Sequence, residues 1–154
     1  MIVANLKKSV TANMVANNKA VNYKLTSGYN HNNKGCVDEA FTSLRAFATA
    51  LNNSSKGSTF ILGTGTTAPQ ESDYCLENRV TTFTIGSVSR DFTDTTGAMT
   101  LSAICTWTGT ESAISEIGLV GGYDNSNYLL AREVLETPIT VNNGDTFTVS
   151  MVIG

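Results

Sequence analysis

Apolar and polar side chains alternate cleanly along the second half of this chain. Met99, Leu101, Ala103, Cys105 and Trp107 are interleaved with Thr100, Ser102, Ile104, Thr106 and Thr108. Phe147, Val149, Met151 and Ile153 are interleaved with Thr146, Thr148, Ser150 and Val152. A period of two marks strands with one face on a core and the other toward water. The same reasoning predicts strands near 80–89, 98–108, 114–121, 128–135 and 146–153, preceded by a short buried strand at Ser58–Leu62. Turns are expected at Asp94–Gly97, Gly109–Glu111, Gly122–Asn127 and Asn142–Asp145, and Pro138 marks an edge piece.

The first third of the chain reads differently. Val37, Phe41, Leu44, Phe47, Ala48 and Leu51 form a helical stripe, with Asp38 and Glu39 in the first turn, so residues 37–51 are predicted to be one amphipathic helix. Val21, Tyr23 and Leu25 give a strand-like run, and residues 27–35 read as a loop. Ile2, Leu6, Val10 and Met14 recur at spacing four, a stripe weakened by interspersed asparagines. The expected fold is mainly β: an antiparallel β-sandwich of about seven strands with one amphipathic helix. Residues 1–34 form an N-terminal arm and 35–154 the domain. The expected core is Leu44, Phe47, Leu62, Phe83, Ile85, Leu101, Trp107, Ile117, Leu119, Phe147, Val149 and Met151.

Charge separates the two regions further. Residues 1–34 hold Lys7, Lys8, Lys19, Lys24 and Lys34 and no acid, whereas residues 58–154 hold three arginines against eleven acidic residues. A basic arm beside an acidic body predicts docking of the arm on an acidic neighbour, another copy included. The assembly arm is assigned to Ile2, Leu6, Lys7, Lys8, Val10, Met14 and Lys19. Without arginine, and with only Tyr23 and Tyr29 to stack, the arm argues against nucleic acid. No apolar run reaches the length of a membrane helix, and no long apolar stretch follows Lys7 and Lys8 as in a signal peptide. Cys36, Cys75 and Cys105 show no metal-binding spacing, which suggests a reducing cytoplasm and no cofactor; Cys105 reads as a core residue.

Candidate chemistry is sparse. Gly63–Ala68 matches a dinucleotide fingerprint, but Pro69 and polar residues stand where a helix must open to hold the pyrophosphate. A tight turn is the better reading. A hairpin centred on Asp124 puts Glu116 opposite Arg132, with Glu133 one residue away. Glu116 and Arg132 are therefore read as a structural ion pair worth a few tenths to about 1 kcal/mol. Acid–base work by Glu116 and Glu133 needs two carboxylates across a cleft, and neighbours on one strand point to opposite faces. His31 reads as surface. Asp91, Asp94, Asp124 and Asp145 read as turn residues, with a calcium site as the alternative. No catalytic, cofactor-binding or metal residue is assigned.

Three segments carry a resemblance: 60–69 (FILGTGTTAP) with 72–77 (SDYCLE); 114–119 (ISEIGL); and 129–135 (LLAREVL) with Pro138, Val141 and the Gly144-Asp145 turn. Their order resembles small β-rich structural proteins of tailed bacteriophages, found in tails, necks, fibres and capsid decorations. The resemblance spans about residues 37–154 and implies a non-enzymatic virion component, made in the host bacterial cytoplasm, that self-assembles and docks on other virion proteins. The alternatives are a host-receptor or glycan-binding fibre module, for which Tyr29, Tyr74, Tyr123 and Tyr128 are the candidate aromatics, and a small cell-wall hydrolase.

Overall fold

The computed structural model describes residues 22–24, 30–32, 59–93, 98–123 and 126–153. The described residues are mainly β and form ten strands: β1 (Asn22–Lys24), β2 (Asn30–Asn32), β3 (Thr59–Gly63), β4 (Arg79–Val80), β5 (Phe83–Ile85), β6 (Ser89–Thr93), β7 (Ala98–Trp107), β8 (Ser112–Tyr123), β9 (Ser126–Val141) and β10 (Thr146–Ile153). All their pairings are antiparallel. The predicted helix 37–51, the arm residues 1–21 and the Asp94–Gly97 turn lie outside the described residues, as do core candidates Leu44 and Phe47.

Two four-stranded sheets carry the architecture. One runs β4-β3-β8-β9; the other runs β10-β7-β5, with β6 beside β5 on the same edge of β7. A separate two-stranded ladder pairs β1 with β2, Tyr23 facing His31. The loop expected at 27–35 is thereby corrected at Asn30–Asn32, where backbone pairing overrides a polar, asparagine-rich composition. The single strand expected at 80–89 is also corrected. Val80 pairs with Leu62 in the first sheet, and Phe83 pairs with Trp107 in the second. The chain changes sheets at 81–82, so periodicity alone does not see the break.

Alternation places the core. Leu101, Ala103, Cys105 and Trp107 of β7 and Val149 and Met151 of β10 meet Phe60 and Leu62 of β3, Ile114 and Leu119 of β8, and Ala131 and Val141 of β9 in one hydrophobic cluster. Phe83, Ile85, Met99, Ile117 and Phe147 pack against it. Residues from both sheets thus share a single core, and every described core candidate lies in it or on it. The first sheet is also covered on its far side, where Ile61, Leu76, Val120 and Leu129 form a smaller cluster beneath the 64–78 loop. For this reason β3 is buried on both faces and reads as an unbroken apolar run.

Three crossings between the sheets meet at Trp107. The Thr108 N–H donates to the Thr82 carbonyl at 2.8 Å, the Trp107 N–H to the Asp145 carbonyl at 2.8 Å, and the Gly144 N–H to the Trp107 carbonyl at 2.9 Å. Trp107 Nε1 donates to the Thr110 carbonyl at 2.7 Å, which satisfies the indole in its buried position. Gly144 takes φ +90, in the region that favours glycine, and closes the turn from β9 to β10. The Asn142 N–H donates to Asp145 Oδ2 at 2.7 Å within that turn.

Candidate functional site

The far side of the first sheet carries a buried polar cluster. Glu116 is fully buried on β8, and Arg132 on β9 is 2% exposed. Gly65 and Asn78 donate their backbone N–H groups to Glu116 Oε1 at 3.0 and 2.8 Å. The Glu77 N–H and Arg132 Nε donate to Oε2 at 3.1 and 2.9 Å. Arg132 Nη2 lies 2.9 Å from the same oxygen. A buried carboxylate is tolerated only when its lone pairs are engaged in this way.

The cluster extends into the 64–78 loop. Arg132 Nη1 donates to Asp73 Oδ2 at 2.9 Å, and Nη2 stands 3.7 Å from Glu77 Oε2. Glu77 in turn accepts from the Thr66 and Thr67 N–H groups at 3.0 and 2.9 Å and from the Thr67 hydroxyl at 2.9 Å. Asp73 accepts from the Gln70 N–H at 2.9 Å, and the Ser115 hydroxyl donates to the Gly65 carbonyl at 2.9 Å. One guanidinium and three carboxylates therefore clasp the loop onto the sheet.

Glycine is required where the loop passes Glu116. A Cβ on Gly65 would lie 2.6 Å from Glu116 Oε1 and 2.6 Å from Glu77 Cβ, and a Cβ on Gly63 would collide with the same carboxylate oxygen. The glycine run that resembles a phosphate-binding loop does bind anions through its backbone. The anions are the chain's own carboxylates.

Electrostatics follow the contacts. The N–H and hydroxyl of Thr67 hold the Glu77 carboxyl below the ordinary carboxylate value; the Thr66 N–H and Arg132 act the same way, against some desolvation. Burial is the largest influence on Arg132 and works against its charge. The hydrogen bonds and charges of Asp73 and Glu116 more than offset it, so its pKa rises. Burial alone raises the Cys105 thiol.

Sequence reasoning placed Arg132 directly opposite Glu116; the register corrects this. Glu116 faces Val134, and Arg132 faces Gly118. The ladder closes at Tyr123 and Ser126, and a register shift between Leu119 and Val120 adds a residue on β9. Together these move the partner by two positions. A slip of two keeps the face, so the two side chains still meet, diagonally. The same register corrects the turn expected over Gly122–Asn127, since Gly122 and Tyr123 pair with Asn127 and Ser126.

Comparison with protein-family models, curated proteins and solved structures found no match.

The other anticipated residues scatter. Glu133 is exposed. His31 lies on β2. Asp91 is on β6 and Asp145 in the β9–β10 turn, while Asp94 and Asp124 fall outside the described residues. Among the described residues no group of three or more histidine, cysteine, aspartate or glutamate side chains could hold a metal ion. Cys105 is a buried free thiol, Cys75 is half-buried, and Cys36 lies outside the described residues. Ile2, Leu6, Lys7, Lys8, Val10, Met14 and Lys19 of the arm lie outside them as well. Asp73 and Glu77 were not foreseen as partners of Arg132. Their local signal is an acidic pair just beyond a glycine–threonine run that donates N–H groups, but the long-range half of the cluster has no sequence signature.

The solvent face of the second sheet is the other distinctive surface. Pairing aligns Thr84 with Thr106 and Thr106 with Thr146, Ile104 with Thr148, Ser89 with Ser102 and Ser102 with Ser150, and Asp91 with Thr100 and Thr100 with Val152. Eight of these eleven positions carry a hydroxyl, and Asp91 is the one charge among them. Ile104 is 61% and Val152 65% exposed.

Proposed function

We propose that this protein is a non-enzymatic structural subunit, a β-sandwich that assembles with other copies and with neighbouring proteins in the virion of a tailed bacteriophage. The observation that carries the reading is the solvent face of the second sheet. It is broad and hydroxyl-rich, almost free of charge, and holds two large exposed apolar side chains. Charge depletion combined with exposed apolar area is what distinguishes the centre of a docking surface from ordinary surface. The conspicuous carboxylates add support from the other side. Glu116, Asp73 and Glu77 are engaged by Arg132 and by backbone donors, which makes the cluster a clasp for a loop. The phage assignment rests on the resemblance of the 60–77, 114–119 and 129–145 segments.

In this reading the basic arm ties subunits together, its lysines meeting the acidic body of a neighbour and its apolar stripe lying beneath them. Sedimentation of the full chain across a concentration series tests the assignment. The expected result is concentration-dependent association, weakened by salt and weakened further by deleting residues 1–20. A full chain that stays monomeric and binds no virion protein overturns it. If the deletion associates as well as the full chain, the arm has no part in assembly.

A further inference from the structure

We propose that β10 is the self-association edge, and that two copies join their second sheets by pairing β10 with β10 about a two-fold axis. The inference rests on the self-assembly reading above; it assigns contact between copies to the β10 edge and leaves the hydroxyl-rich face around Ile104 to neighbouring proteins.

A sheet edge presents unpaired N–H and C=O groups, and proteins that stay monomeric blunt their edges with charge, proline, bulges or shortness. Most edges of these sheets are blunted. β4 is two residues long, and only Thr59–Ile61 of β3 lies beyond it. β9 carries Arg132, Glu133, Glu136 and Pro138, and its ladder with β8 is interrupted between Glu116 and Ile114, opposite residues 135–138. The β5–β6 edge is broken at 86–88 and carries Arg90 and Asp91. β10 has none of these devices. Its eight residues, Thr146–Ile153, read TFTVSMVI, with no charge, glycine or proline. Among the described residues it pairs with β7 alone.

The occupant follows from charge and parity. Pairing a strand antiparallel with itself brings like residues near one another, so a strand carrying one sign of charge repels its own copy. β10 has no charge to repel. Its buried members, Val149 and Met151, must stay on the core side, which restricts the register to steps of two. Centred on Val149, the pairing sets Phe147 against Met151 on the core side, and Thr148 against Ser150 and Thr146 against Val152 on the solvent side. That register uses the strand from Thr146 to Val152 and covers the exposed Val152. The two hydroxyl-rich faces then continue across the junction as one surface.

The test uses the full chain with Thr148→Lys/Ser150→Lys, both at exposed positions on the solvent face. Thermal melts confirm folding; if the double variant does not fold, Ser150→Lys alone serves, its two lysines then lying diagonally across the junction rather than face to face, with a smaller weakening expected. In the double variant's paired state lysines face lysines, and self-association measured by sedimentation is expected to weaken roughly tenfold or more. Mixing this variant with Thr148→Glu/Ser150→Glu is expected to restore association as a hetero-pair. Ile104→Lys, on the same face but the central strand, is expected to leave association within about threefold of wild type. Three results overturn the proposal. One is wild-type association that the lysine pair does not weaken, which leaves the assembly reading standing. Another is loss through Ile104→Lys alone, which moves the contact from edge to face. The last is an associating chain whose β10 amides are already protected in its dilute monomer, which assigns the edge to another segment of the same chain. A full chain that never associates fails the assembly reading itself.

Discussion

Arg132 sits diagonally across the β8–β9 ladder from Glu116, two positions from the residue that faces it, and still delivers both Nε and Nη2 to one Glu116 oxygen at 2.9 Å. From there one guanidinium serves three carboxylates. Its remaining nitrogen reaches Asp73 at 2.9 Å in the overlying loop.

Arg132→Met should therefore cost far more than an exposed cross-strand pair. It leaves Glu116 buried without its cationic partner, and the expected loss is about 3–5 kcal/mol in urea unfolding. Glu116→Met with Arg132→Met should recover part of this, because no charge is stranded. The recovery is incomplete, since the Gly65, Glu77 and Asn78 N–H groups lose their acceptor. A double-mutant cycle should show coupling above about 1 kcal/mol; additive effects would mean that the two side chains act separately.

Gly65→Ala tests the loop from the other direction. The new methyl would press on Glu116 and Glu77, and a stability loss of roughly 1–3 kcal/mol is expected, with faster proteolysis within 64–78. Gly86→Ala is the control. Its nearest neighbour is the Ile104 carbonyl at 3.6 Å, an ordinary contact, so its change should stay below about 1 kcal/mol.

Trp107 joins core and crossings. Trp107→Ala should cost about 3–5 kcal/mol through lost burial. Trp107→Phe keeps an aromatic ring but removes the hydrogen bond to the Thr110 carbonyl; about 1–3 kcal/mol is expected from the orphaned acceptor and the smaller ring. Both are read from denaturant midpoints. A near-neutral alanine variant would mean that the β7 faces are assigned backwards.

Acid should loosen the 64–78 loop before it unfolds the sheets. Glu77 is held below its ordinary value, so its ionised form favours the folded loop. That contribution is present above the ordinary glutamate pKa of about 4.3 and is lost as pH falls through the lowered folded value. Hydrogen exchange of the Thr66 and Thr67 amides, measured from pH 6 downward and corrected for intrinsic rates, should show protection declining below about pH 4.3. Glu77→Gln should remove this dependence. Unchanged protection at those two amides would place the acid-sensitive contact elsewhere.

Alternation along β7 and β10 was enough to place Leu101, Ala103, Cys105, Trp107, Val149 and Met151 on one buried face, because a half-solvated strand writes its two environments into every second residue. The glycines of 63–65 were legible as a tight passage, and Glu116 and Arg132 as partners, because a two-residue slip cannot change a strand's face. The tertiary structure decided the rest. It split 80–89 between two sheets, a change of partner that leaves no trace in periodicity. It gathered Gly65, Glu77 and Asn78 around Glu116 from 38 to 51 residues away, through backbone donors that no side-chain pattern announces, and brought Asp73 to Arg132. It also decided which strands end at an edge. The composition of TFTVSMVI is plain in the sequence, but its unblunted edge acquires meaning only once β7 is seen on one side of it and no other described strand on the other.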